Sequence, residues 1–578
     1  MDNGTVARVL SEVADLLEIK GENAFKIRAY RSAADVVATT ADAVARMNEA
    51  QLRELPGIGK DLAARIRELA DTGTCAPYAS LLAEFPPTIL DLLRLQGVGP
   101  KTVALLYHSL GVDSVEALAA AARAGRLREL KGMGPKKEAL ILKAIEERAQ
   151  TAGRHLLADA AALAADIVAS VLAAHPTASI VPVGSLRRGA ETCGDIDLLC
   201  TDADATVMDT FVAHPRVERV LGHGDTKSSV RVRGGYQVDL RVVPRESRGA
   251  ALQYFTGSKA HNIELRDRAL QRGLTLNEYG LTRVESGEVV AGATEEGIYE
   301  ALGLSWIAPE LREHKGEIAA AEAGALPVLV TEADLKGDLH MHTTATDGRD
   351  SLEAMAAEAH RLGYKYIAIT DHSKALAMAN GLDERRTLEH AARVRALNGR
   401  FEGLTLLAGI ECDILADGTM DLSADCLAQL DIVIASIHSH FTQDPSQMTD
   451  RVLRAVACPY VDVLGHPTGR LLLKRQPLSF DVPRVIAAAA AAGVALEINS
   501  QVDRLDLNDA HVRLAREHGA RFVISSDAHA TGALGNVRWG THVARRGWLT
   551  SADVLNTYTA DALRSALRRH GPGEARGH

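Results

Sequence analysis

The spacing of apolar residues divides the chain into three regions with different predicted secondary structure. In residues 1–150, apolar side chains recur at helical spacing and strand signals are few. Residues 178–243 change to short apolar strands such as ASIVPVG, GDIDLLC and YQVDLRVV. From Gly337 onward, apolar strands alternate with helical stretches, which predicts a βα barrel. The pattern therefore predicts a multidomain protein with a helical beginning, an α+β middle and an α/β end.

Changes in composition place the expected domain boundaries along the 578 residues, a length that needs several hydrophobic cores. Of the 21 histidines, 14 lie after residue 335, which predicts a metal-rich C-terminal domain. Residues 316–335 combine a proline with a helical Ala/Glu run, which is typical of a connector. The predicted domains are two helical ones at 1–85 and 86–150, two mixed ones at 151–250 and 251–315, a linker at 316–335, the barrel at 336–572 and a tail at 573–578.

A net charge of -10 argues against bulk attraction to nucleic acid, and no segment of the chain is basic overall. Any DNA contact must therefore use local sites and backbone amides. The six cysteines form no CxxC pair, which predicts neither a disulfide framework nor a thiolate zinc site. The first residues lack the layout of a signal peptide, and no apolar run approaches the ~20 residues that span a bilayer. We therefore expect a cytoplasmic protein without a membrane partner.

Three Gly-apolar-Gly turns repeat in the helical region, within LPGIG at 55–59, LQGVG at 95–99 and LKGMG at 130–134. Such a turn lets two helices approach closely, and the free amides at the second helix's N-terminus can bind a phosphate oxygen. One copy alone is as easily a turn between packed helices, but three copies favour sequence-independent contact with the DNA backbone. They resemble the helix–hairpin–helix element of repair enzymes. The candidate DNA-binding residues are Gly57, Gly59, Lys60, Gly97, Gly99, Lys101, Gly132 and Gly134, with Lys136 and Lys137 adding charge.

Paired carboxylates on one predicted strand indicate phosphoryl-transfer chemistry. Asp195 and Asp197 in GDID face the same side because they are two residues apart, and Asp239 is expected on a neighbouring strand. Three converging carboxylates need cations, and they suit two Mg²⁺ ions that hold the attacking and leaving oxygens. A lone D-x-D is commonly an exposed strand edge, but the upstream Gly-Ser and the downstream Asp favour a catalytic site. The residues placed to cradle nucleotide phosphates are Gly184, Ser185 and Arg188.

The segment GSLRRGAETCGDIDLL, residues 184–199, resembles the palm motif of family X DNA polymerases, and YFTGSKAHNIELR, residues 254–266, resembles their thumb motif. The resemblance implies a nucleotidyltransferase palm and thumb whose catalytic metal ligands are Asp195, Asp197 and Asp239. It further implies triphosphate binding by Ser185, Arg188 and Gly194, sugar contacts by Tyr254, Phe255 and Gly257, and base or template contacts by Asn262 and Arg266. Packing in a hydrophobic core is the alternative role for the two aromatic residues.

The N-terminal segment GENAFKIRAYRSAADVV resembles the 5′-phosphate-binding domain of the same family, with Lys26 and Tyr30 at phosphate-contacting positions. One position departs from the family's lyase enzymes, because Arg65 stands where they place a nucleophilic lysine. Arginine stays protonated and cannot form a Schiff base, and Asp61 replaces a nearby cation. We therefore expect the phosphate pocket without efficient deoxyribose-phosphate lyase activity.

Histidines and carboxylates end most of the predicted strands after residue 335, as in LKGDLHMH, YIAITDH, DIVIASIHSH and RFVISSDAH. In a βα barrel these positions share the face where such enzymes build their active sites. A single histidine of this kind is commonly packed or exposed without a ligand, but nine nitrogen and oxygen donors together predict a metal centre for Mn²⁺, Zn²⁺ or Fe²⁺. The predicted ligands are His340, His342, Asp347, His372, Glu411, His438, His466, Asp527 and His529.

The motifs HMHTTATDG, ITDH, GIECDI, SIHSH, GHP and SSDAH resemble those of the PHP phosphoesterase family. The resemblance implies a distorted (β/α)7 PHP barrel that binds up to three ions. The implied ligand sets are His340, His342, Glu411 and Asp527, then Glu411, His438 and His466, and then Asp347, His372 and His529. Family members of this joint architecture imply a 3′-to-5′ exonuclease, with cutting at abasic sites or removal of 3′ blocks as further activities. His440 lies outside these sets and is a candidate for binding substrate phosphate.

These features predict a DNA polymerase that fills short gaps in repair, such as base excision repair, and that carries its own nuclease. Its expected partners are gapped or primer–template DNA and dNTPs, and a monomer is expected. Alternatives remain open at this stage. The palm could belong to a template-independent or small-molecule nucleotidyltransferase. The barrel could be structural or a small-molecule phosphatase, and the whole chain could be a DNA-binding scaffold with inactive sites. The repeated turns and the complete ligand sets favour the polymerase with a nuclease.

Overall fold

Helices form where the first 150 residues space apolar side chains by three or four, and their buried faces meet in one core. The computed structural model describes residues 3–40, 44–86, 88–93, 95, 98–151, 153–204 and 206–567. The predictions for Gly97 and for the tail at 573–578 lie outside these residues. The chain divides into two compact units, Met1–Ala152 and Gly153–His578. The helices of the first unit are α1 (Asn3–Lys20), α2 (Ala24–Thr39), α3 (Glu49–Leu52), α4 (Lys60–Thr72), α5 (Ala76–Glu84), α6 (Ile89–Leu92), α7 (Pro100–Leu110), α8 (Val115–Arg123) and α9 (Pro135–Thr151).

Each of the three Gly-apolar-Gly turns precedes a new helix in the first unit. Gly59 caps α4, Gly99 caps α7, and α9 begins directly after Gly134. Gly57 and Gly132, the first glycines of the first and third turns, have a positive φ, the left-handed region that favours glycine. The middle residue of each turn is buried, which fixes the turn against the core. These turns are the expected helix–hairpin–helix elements.

A five-stranded sheet organises the palm, the first part of the second unit. Its strand order is β2 (Ser179–Pro182), β4 (Asp195–Thr201), β7 (Gln237–Val242), β6 (Lys227–Val232) and β5 (Val217–His223). Its core contains the buried face of α10 (Leu157–Ala174), which carries Leu163 and Ile167. By length and composition alone, α10 is the one described helix that could cross a membrane, and a third of it is buried. The palm elements are β1 (His155–Leu156), α10 (Leu157–Ala174), β2 (Ser179–Pro182), α11 (Gly184–Arg187), β3 (Thr192–Cys193), β4 (Asp195–Thr201), α12 (Val207–Val212), β5 (Val217–His223), β6 (Lys227–Val232) and β7 (Gln237–Val242).

The thumb follows the palm and shares a core with the predicted linker, whose Ile318 and Ala321 are buried there. Its elements are α13 (Arg248–Thr256), α14 (Lys259–Gln271), β8 (Leu274–Asn277), β9 (Gly280–Arg283), β10 (Val289–Ala291), α15 (Glu295–Ala301) and α16 (Glu317–Glu322). Arg312 is fully buried, and its Nη1 lies 2.7 Å from Glu295 Oε1. Arg187 of α11 donates to both oxygens of the same carboxylate, at 2.8 and 2.6 Å. One buried carboxylate therefore joins the thumb to the palm.

Glu295→Gln is expected to lower the free energy of unfolding by about 3 kcal/mol, because it leaves the buried Arg312 and the half-buried Arg187 without their anion. Burial raises the pKa of Glu295, but Arg187 and Arg312 lower it to about 2. The stabilisation is therefore complete above the ordinary pKa of a glutamate and is lost as the pH falls towards 2. Thermal unfolding measures the effect. Glu322→Gln, which removes a more exposed partner of Arg268, is the matched control and should cost much less. An equal loss in both variants would contradict the expectation.

Seven parallel strands follow one another in sequence order and form the barrel, in which every strand is flanked by its chain neighbours. A parallel bridge between Met341 and Ala528 joins the last strand to the first, so the barrel is nearly closed. The predicted multidomain α+β and α/β class and the distorted (β/α)7 barrel are confirmed. The barrel elements are β11 (Gly337–Asp338), α17 (Leu352–Arg361), β12 (Tyr366–Ile369), α18 (Glu384–Ala396), β13 (Thr405–Asp413), α19 (Ala424–Leu427), β14 (Ile432–Ser436), α20 (Pro445–Ala457), β15 (Val463–Leu464), α21 (Val482–Ala492), β16 (Ala495–Asn499), α22 (Asp509–Glu517), β17 (Phe522–Ser525), α23 (Val537–Arg546) and α24 (Ala560–Ala566).

Candidate active sites

Three carboxylates meet at one end of the palm sheet. Strands β4 and β7 are parallel neighbours, and their register places Asp197 directly opposite Asp239. Asp195 stands two residues before Asp197, on the same face of β4. Burial, together with the charges of Asp195 and Asp239, raises the pKa of Asp197 to about 6. Repulsion between such closely placed carboxylates is relieved by divalent cations, so the donor set fits the expected metals.

The turn before these carboxylates has room only for glycine. Gly184 has a φ of 64°, and a Cβ built on it would lie 2.7 Å from Asp197 Oδ2. The amide of Val183 also donates to the Asp197 carbonyl oxygen at 2.9 Å. Arg188 ends the short helix α11 that starts at this glycine. The structure therefore brings the expected phosphate cradle, Gly184 to Arg188, directly against the carboxylates. Within this cradle, Ser185 is half-buried. Gly194, the expected phosphate ligand outside it, is exposed.

Two further polar residues of the palm contact Asp239, and sequence reasoning missed both. Lys227 Nζ lies 2.9 Å from Asp239 Oδ2, and Gln237 Nε2 donates to Oδ1 at 3.1 Å. Burial raises the pKa of Asp239, but Lys227 and Gln237 reverse the shift, and the net change is downward. Lys227 belongs to β6, and only the pairing of β6 with β7 brings it to the site. The sequence carries no signal for that register.

The thumb motif packs beside the same turn. Asn262 donates to the Tyr254 carbonyl oxygen at 2.7 Å, and Arg188 donates to the Thr256 carbonyl oxygen at 2.5 Å. The rings of Tyr254 and Phe255 meet edge to face at 5.2 Å. Phe255 also packs against a small apolar cluster, which agrees with the core-packing alternative for that ring. The other two residues predicted from this motif differ in exposure. Gly257 is buried, whereas Arg266 is exposed.

Nine histidine and carboxylate side chains converge at one end of the barrel, around Glu411. The ring nitrogens nearest to its two oxygens are those of His372, His466, His438, His340 and His342, at 2.8, 2.9, 3.4, 3.4 and 3.6 Å. The other two carboxylates lie at the edge of the cluster. Asp527 Oδ1 is 3.1 Å from His342 Nε2, and Asp347 Oδ2 is 3.3 Å from His372 and 3.5 Å from His529. The structure therefore brings together every predicted ligand of the barrel.

The donor atoms of this cluster fit bound cations. Their grouping differs from the implied ligand sets. His342 also joins the third group and His372 joins the second, whereas Glu411 is missing from the first group and His466 from all three. Several buried donor atoms, among them His340 Nε2 and Glu411 Oε2, have no hydrogen-bond partner. A cation would satisfy such atoms. The groups whose donor atoms lie within 4.8 Å of one another are His342, Asp347, His372 and His529, then His340, His342 and Asp527, and then His372, Glu411 and His438.

A second layer of carboxylates and amides orients the predicted ligands. Glu497 Oε1 lies 2.7 Å from His340 Nδ1, Asp413 contacts His438 Nδ1, and Asn499 donates to Asp527 Oδ2 at 2.9 Å. Such partners fix the ring orientation and raise the basicity of a metal-binding histidine. Burial lowers the pKa of His438, but Glu411 and Asp413 raise it to about 9. Sequence reasoning did not identify this layer, although Glu497 and Asn499 lie on β16 with the two-residue spacing of a strand face.

Other predicted site residues lie outside these two clusters. His440 is exposed and is not among the grouped donors. In the first unit, Arg65 Nη1 lies 3.0 Å from Glu68, and its Nη2 lies 3.4 Å from Asp61. Lys26 is half-exposed, 3.9 Å from Glu22, whereas Tyr30 is buried and burial raises its pKa to about 12. Lys60 and Lys101 are exposed at the starts of α4 and α7. DNA binding by these residues stays a prediction.

A sheet with three carboxylates against a glycine turn, followed by a barrel with nine converging donors, defines a nucleotidyltransferase joined to a phosphoesterase of the PHP type. Family comparisons agree with this class. The chain matches a helix-hairpin-helix domain over residues 1–75 and a SAM-like helix-hairpin-helix tandem over 89–147. It further matches the DNA polymerase beta palm over 158–231, the DNA polymerase beta thumb over 251–313 and the PHP domain over 338–501.

Curated relatives identify the family. The DNA polymerase/3'-5' exonuclease PolX of Bacillus subtilis (strain 168) is 37% identical over 573 residues, which cover 99% of this chain and 100% of that protein. The chain therefore belongs to the family X DNA polymerases that carry a C-terminal PHP domain. Probable phosphatases are also similar. One from Thermoanaerobacter sp. (strain X514) is 29% identical over 231 residues, 38% of this chain and 89% of that protein. One from Shewanella sp. (strain MR-4) is 33% identical over 208 residues, 34% of this chain and 78% of that protein.

Proposed function

We propose that this chain adds nucleotides from dNTPs to the 3′ end of gapped or primer–template DNA and so fills short gaps in repair. The observation that carries the proposal is the carboxylate cluster of β4 and β7, with Gly184 held against Asp197. The helix–hairpin–helix turns support sequence-independent DNA binding, which template-directed synthesis requires. Cytoplasmic location and a monomeric state belong to the same proposal.

The polymerase reaction assigns a role to each part of the palm. Asp195, Asp197 and Asp239 would hold two Mg²⁺ ions, which would supply positive charge to offset the negative charge that develops at the reacting phosphate. Asp239 is proposed to accept the proton of the primer 3′-hydroxyl. The residues proposed to bind the triphosphate are Gly184, Ser185, Arg188 and Gly194. Those proposed beside the sugar, base and template are Tyr254, Phe255, Gly257, Asn262 and Arg266.

The barrel is proposed to hydrolyse the 3′ end of DNA as a 3′-to-5′ exonuclease, as the printed name of the Bacillus relative states for that protein. Up to three ions of Mn²⁺, Zn²⁺ or Fe²⁺, held by the nine converging donors, would supply the Lewis acidity for cleavage of the phosphodiester. Glu411 takes part in most of the close contacts and is the proposed central ligand of this donor set. The similarity to probable phosphatases favours phosphomonoester hydrolysis, including removal of a 3′-phosphate, as a second activity of the same centre.

A template-dependence experiment tests the polymerase proposal. DNA with a one-nucleotide gap is offered each dNTP in turn with Mg²⁺, and the same primer is offered without a template. The complementary nucleotide should be added to the gapped DNA much faster than any other, and the primer alone should gain almost nothing. Equal addition without a template would assign the palm to a template-independent transferase. No addition under either condition would favour the DNA-binding scaffold.

A further inference from the structure

A barrel helix lies against the turn that follows the phosphate cradle of the palm. Gly189 has a φ of 62°, and a Cβ built on it would lie 2.8 Å from the ring of His542 on α23. The last residue of α23, Arg546, donates to the Arg188 carbonyl oxygen at 3.0 Å. The PHP barrel therefore contacts the palm beside the residue proposed to bind the triphosphate.

Arg546 and Arg188 share one carboxylate oxygen. Glu313 Oε1 accepts from Arg188 Nε at 2.9 Å and from Arg546 Nη1 at 2.8 Å. The side chain of Arg188 is 14% exposed, that of Arg546 10% and that of Glu313 19%. Water therefore screens the attraction between their charges only weakly. Burial raises the pKa of Glu313, but Arg546 and Arg188 lower it overall, which keeps the carboxylate ionised. Asp509 accepts from Arg546 Nη2 at 2.9 Å and anchors the arginine from the barrel side.

Arg188 cannot hold Glu313 and a triphosphate with the same donor atoms. When its guanidinium turns to the nucleotide, Glu313 loses one of its two arginine partners. With Arg546 in place, the carboxylate remains paired and the exchange costs little. Without Arg546, the exchange would leave a largely buried carboxylate without either arginine, which is costly. The charge on Arg546 therefore lowers the free energy needed to release Arg188.

We propose that Arg546 of the PHP barrel is a positioning residue for nucleotide binding in the palm, which acts by neutralising Glu313 so that Arg188 can bind the dNTP triphosphate. The inference rests on the proposed function, in which Arg188 is a triphosphate ligand. It assigns the barrel a role in polymerisation that is separate from its metal centre. Substrate affinity in one active site would thus depend on a side chain of the other domain.

Single-turnover incorporation on gapped DNA separates dNTP affinity from the rate of the chemical step. Arg546→Ala should raise the dNTP Kd roughly tenfold and leave the maximal rate nearly unchanged. Arg546→Lys should lie between this variant and the parent, because it keeps the charge. Glu313→Gln removes the competing anion, so the double variant Arg546→Ala/Glu313→Gln should have the Kd of Glu313→Gln alone. Arg545→Ala is the matched control, since Arg545 comes from the same helix but binds Glu310.

The outcomes distinguish this inference from the proposed function. An unchanged dNTP Kd in both Arg546→Ala and Arg546→Lys overturns the inference, provided that Arg188→Ala raises the Kd. A Kd that Glu313→Gln fails to restore, or one that Arg545→Ala raises equally, indicates a general packing role and also overturns it. If Arg188→Ala leaves the Kd unchanged, the proposed triphosphate site fails and the inference fails with it. Thermal unfolding identifies any variant that does not fold. If Arg546→Ala is one of these, the dNTP Kd of Arg546→Lys decides the outcome.

Discussion

Replacing Asp197 with alanine should abolish nucleotide addition, with a loss of at least roughly a thousandfold in the single-turnover rate. Asp197 is two residues from Asp195 on β4 and directly opposite Asp239 on β7, so its removal takes away the central carboxylate of the proposed metal-binding set. The fold should not suffer from the change. Burial and the neighbouring charges raise the pKa of Asp197, which means that its charge is unfavourable in the metal-free protein. The variant should therefore unfold at the same temperature as the parent or a higher one.

Primer extension measures the loss in Asp197→Ala, and DNA binding and 3′-end digestion serve as internal references. Both should stay close to the parent values, because the barrel centre and the hairpin turns lie in other parts of the chain. Asp166→Ala is the matched control, since it removes an exposed palm aspartate that pairs with Arg216. Normal extension by Asp197→Ala would show that the palm site is wrongly assigned.

Asp527→Ala and His342→Ala should each lose 3′-to-5′ digestion and retain primer extension. The two side chains contact each other at 3.1 Å and are buried beside Glu411. Removing Asp527 leaves the cations of this cluster with less negative charge between them, so metal affinity should fall and metal content per chain should drop. Digestion by the parent protein should prefer Mn²⁺ to Mg²⁺, because several imidazole ligands disfavour Mg²⁺. The expected loss is again roughly a thousandfold or more.

Digestion of a 5′-labelled strand and metal analysis of the purified protein measure this loss. Asp417→Ala, in an exposed loop of the barrel, is the control and should change neither quantity. A DNA with a 3′-phosphate and a small phosphomonoester are offered as substrates in parallel. Comparing the rates of their hydrolysis with the rate of digestion distinguishes a nuclease from a small-molecule phosphatase. Digestion that persists in Asp527→Ala but disappears in Asp197→Ala would move hydrolysis to the palm and leave the barrel without a reaction.

The sequence predicted those parts of the molecule that follow from local patterns. Strands of a parallel barrel end on one face, so the nine donors could be expected together without knowledge of their distances. The two-residue spacing of Asp195 and Asp197, together with the upstream Gly-Ser and the downstream Asp239, indicated the palm site in the same way. Lys227 and Glu497 could not be predicted, because strand register or side-chain packing brings them to their sites. The net charge indicated the wrong partner class, because local sites and backbone amides do not appear in a sum over the chain.

Ion pairs between segments that are distant in the sequence could not be predicted from the sequence. Glu313 and Arg546 are separated by 233 positions, and neither belongs to a recognisable motif. Glu191 and Arg470, which join the palm turn to the barrel through bonds of 2.9 and 2.8 Å, are separated by 279 positions. In the sequence, none of these four charged residues indicates its distant partner. Each of these residues is paired and largely buried only because the barrel packs against the palm and thumb.

The shared packing of palm, thumb and barrel determines what a protease could do to this chain. Palm residues such as Ile167 and barrel residues such as Val433 belong to one hydrophobic cluster, and the connector between thumb and barrel carries buried residues of its own. A cut in that connector would leave the two fragments held together by apolar surface and by ion pairs such as Arg545 with Glu310. We therefore expect the polymerase and nuclease parts to stay associated after the backbone between them is cut.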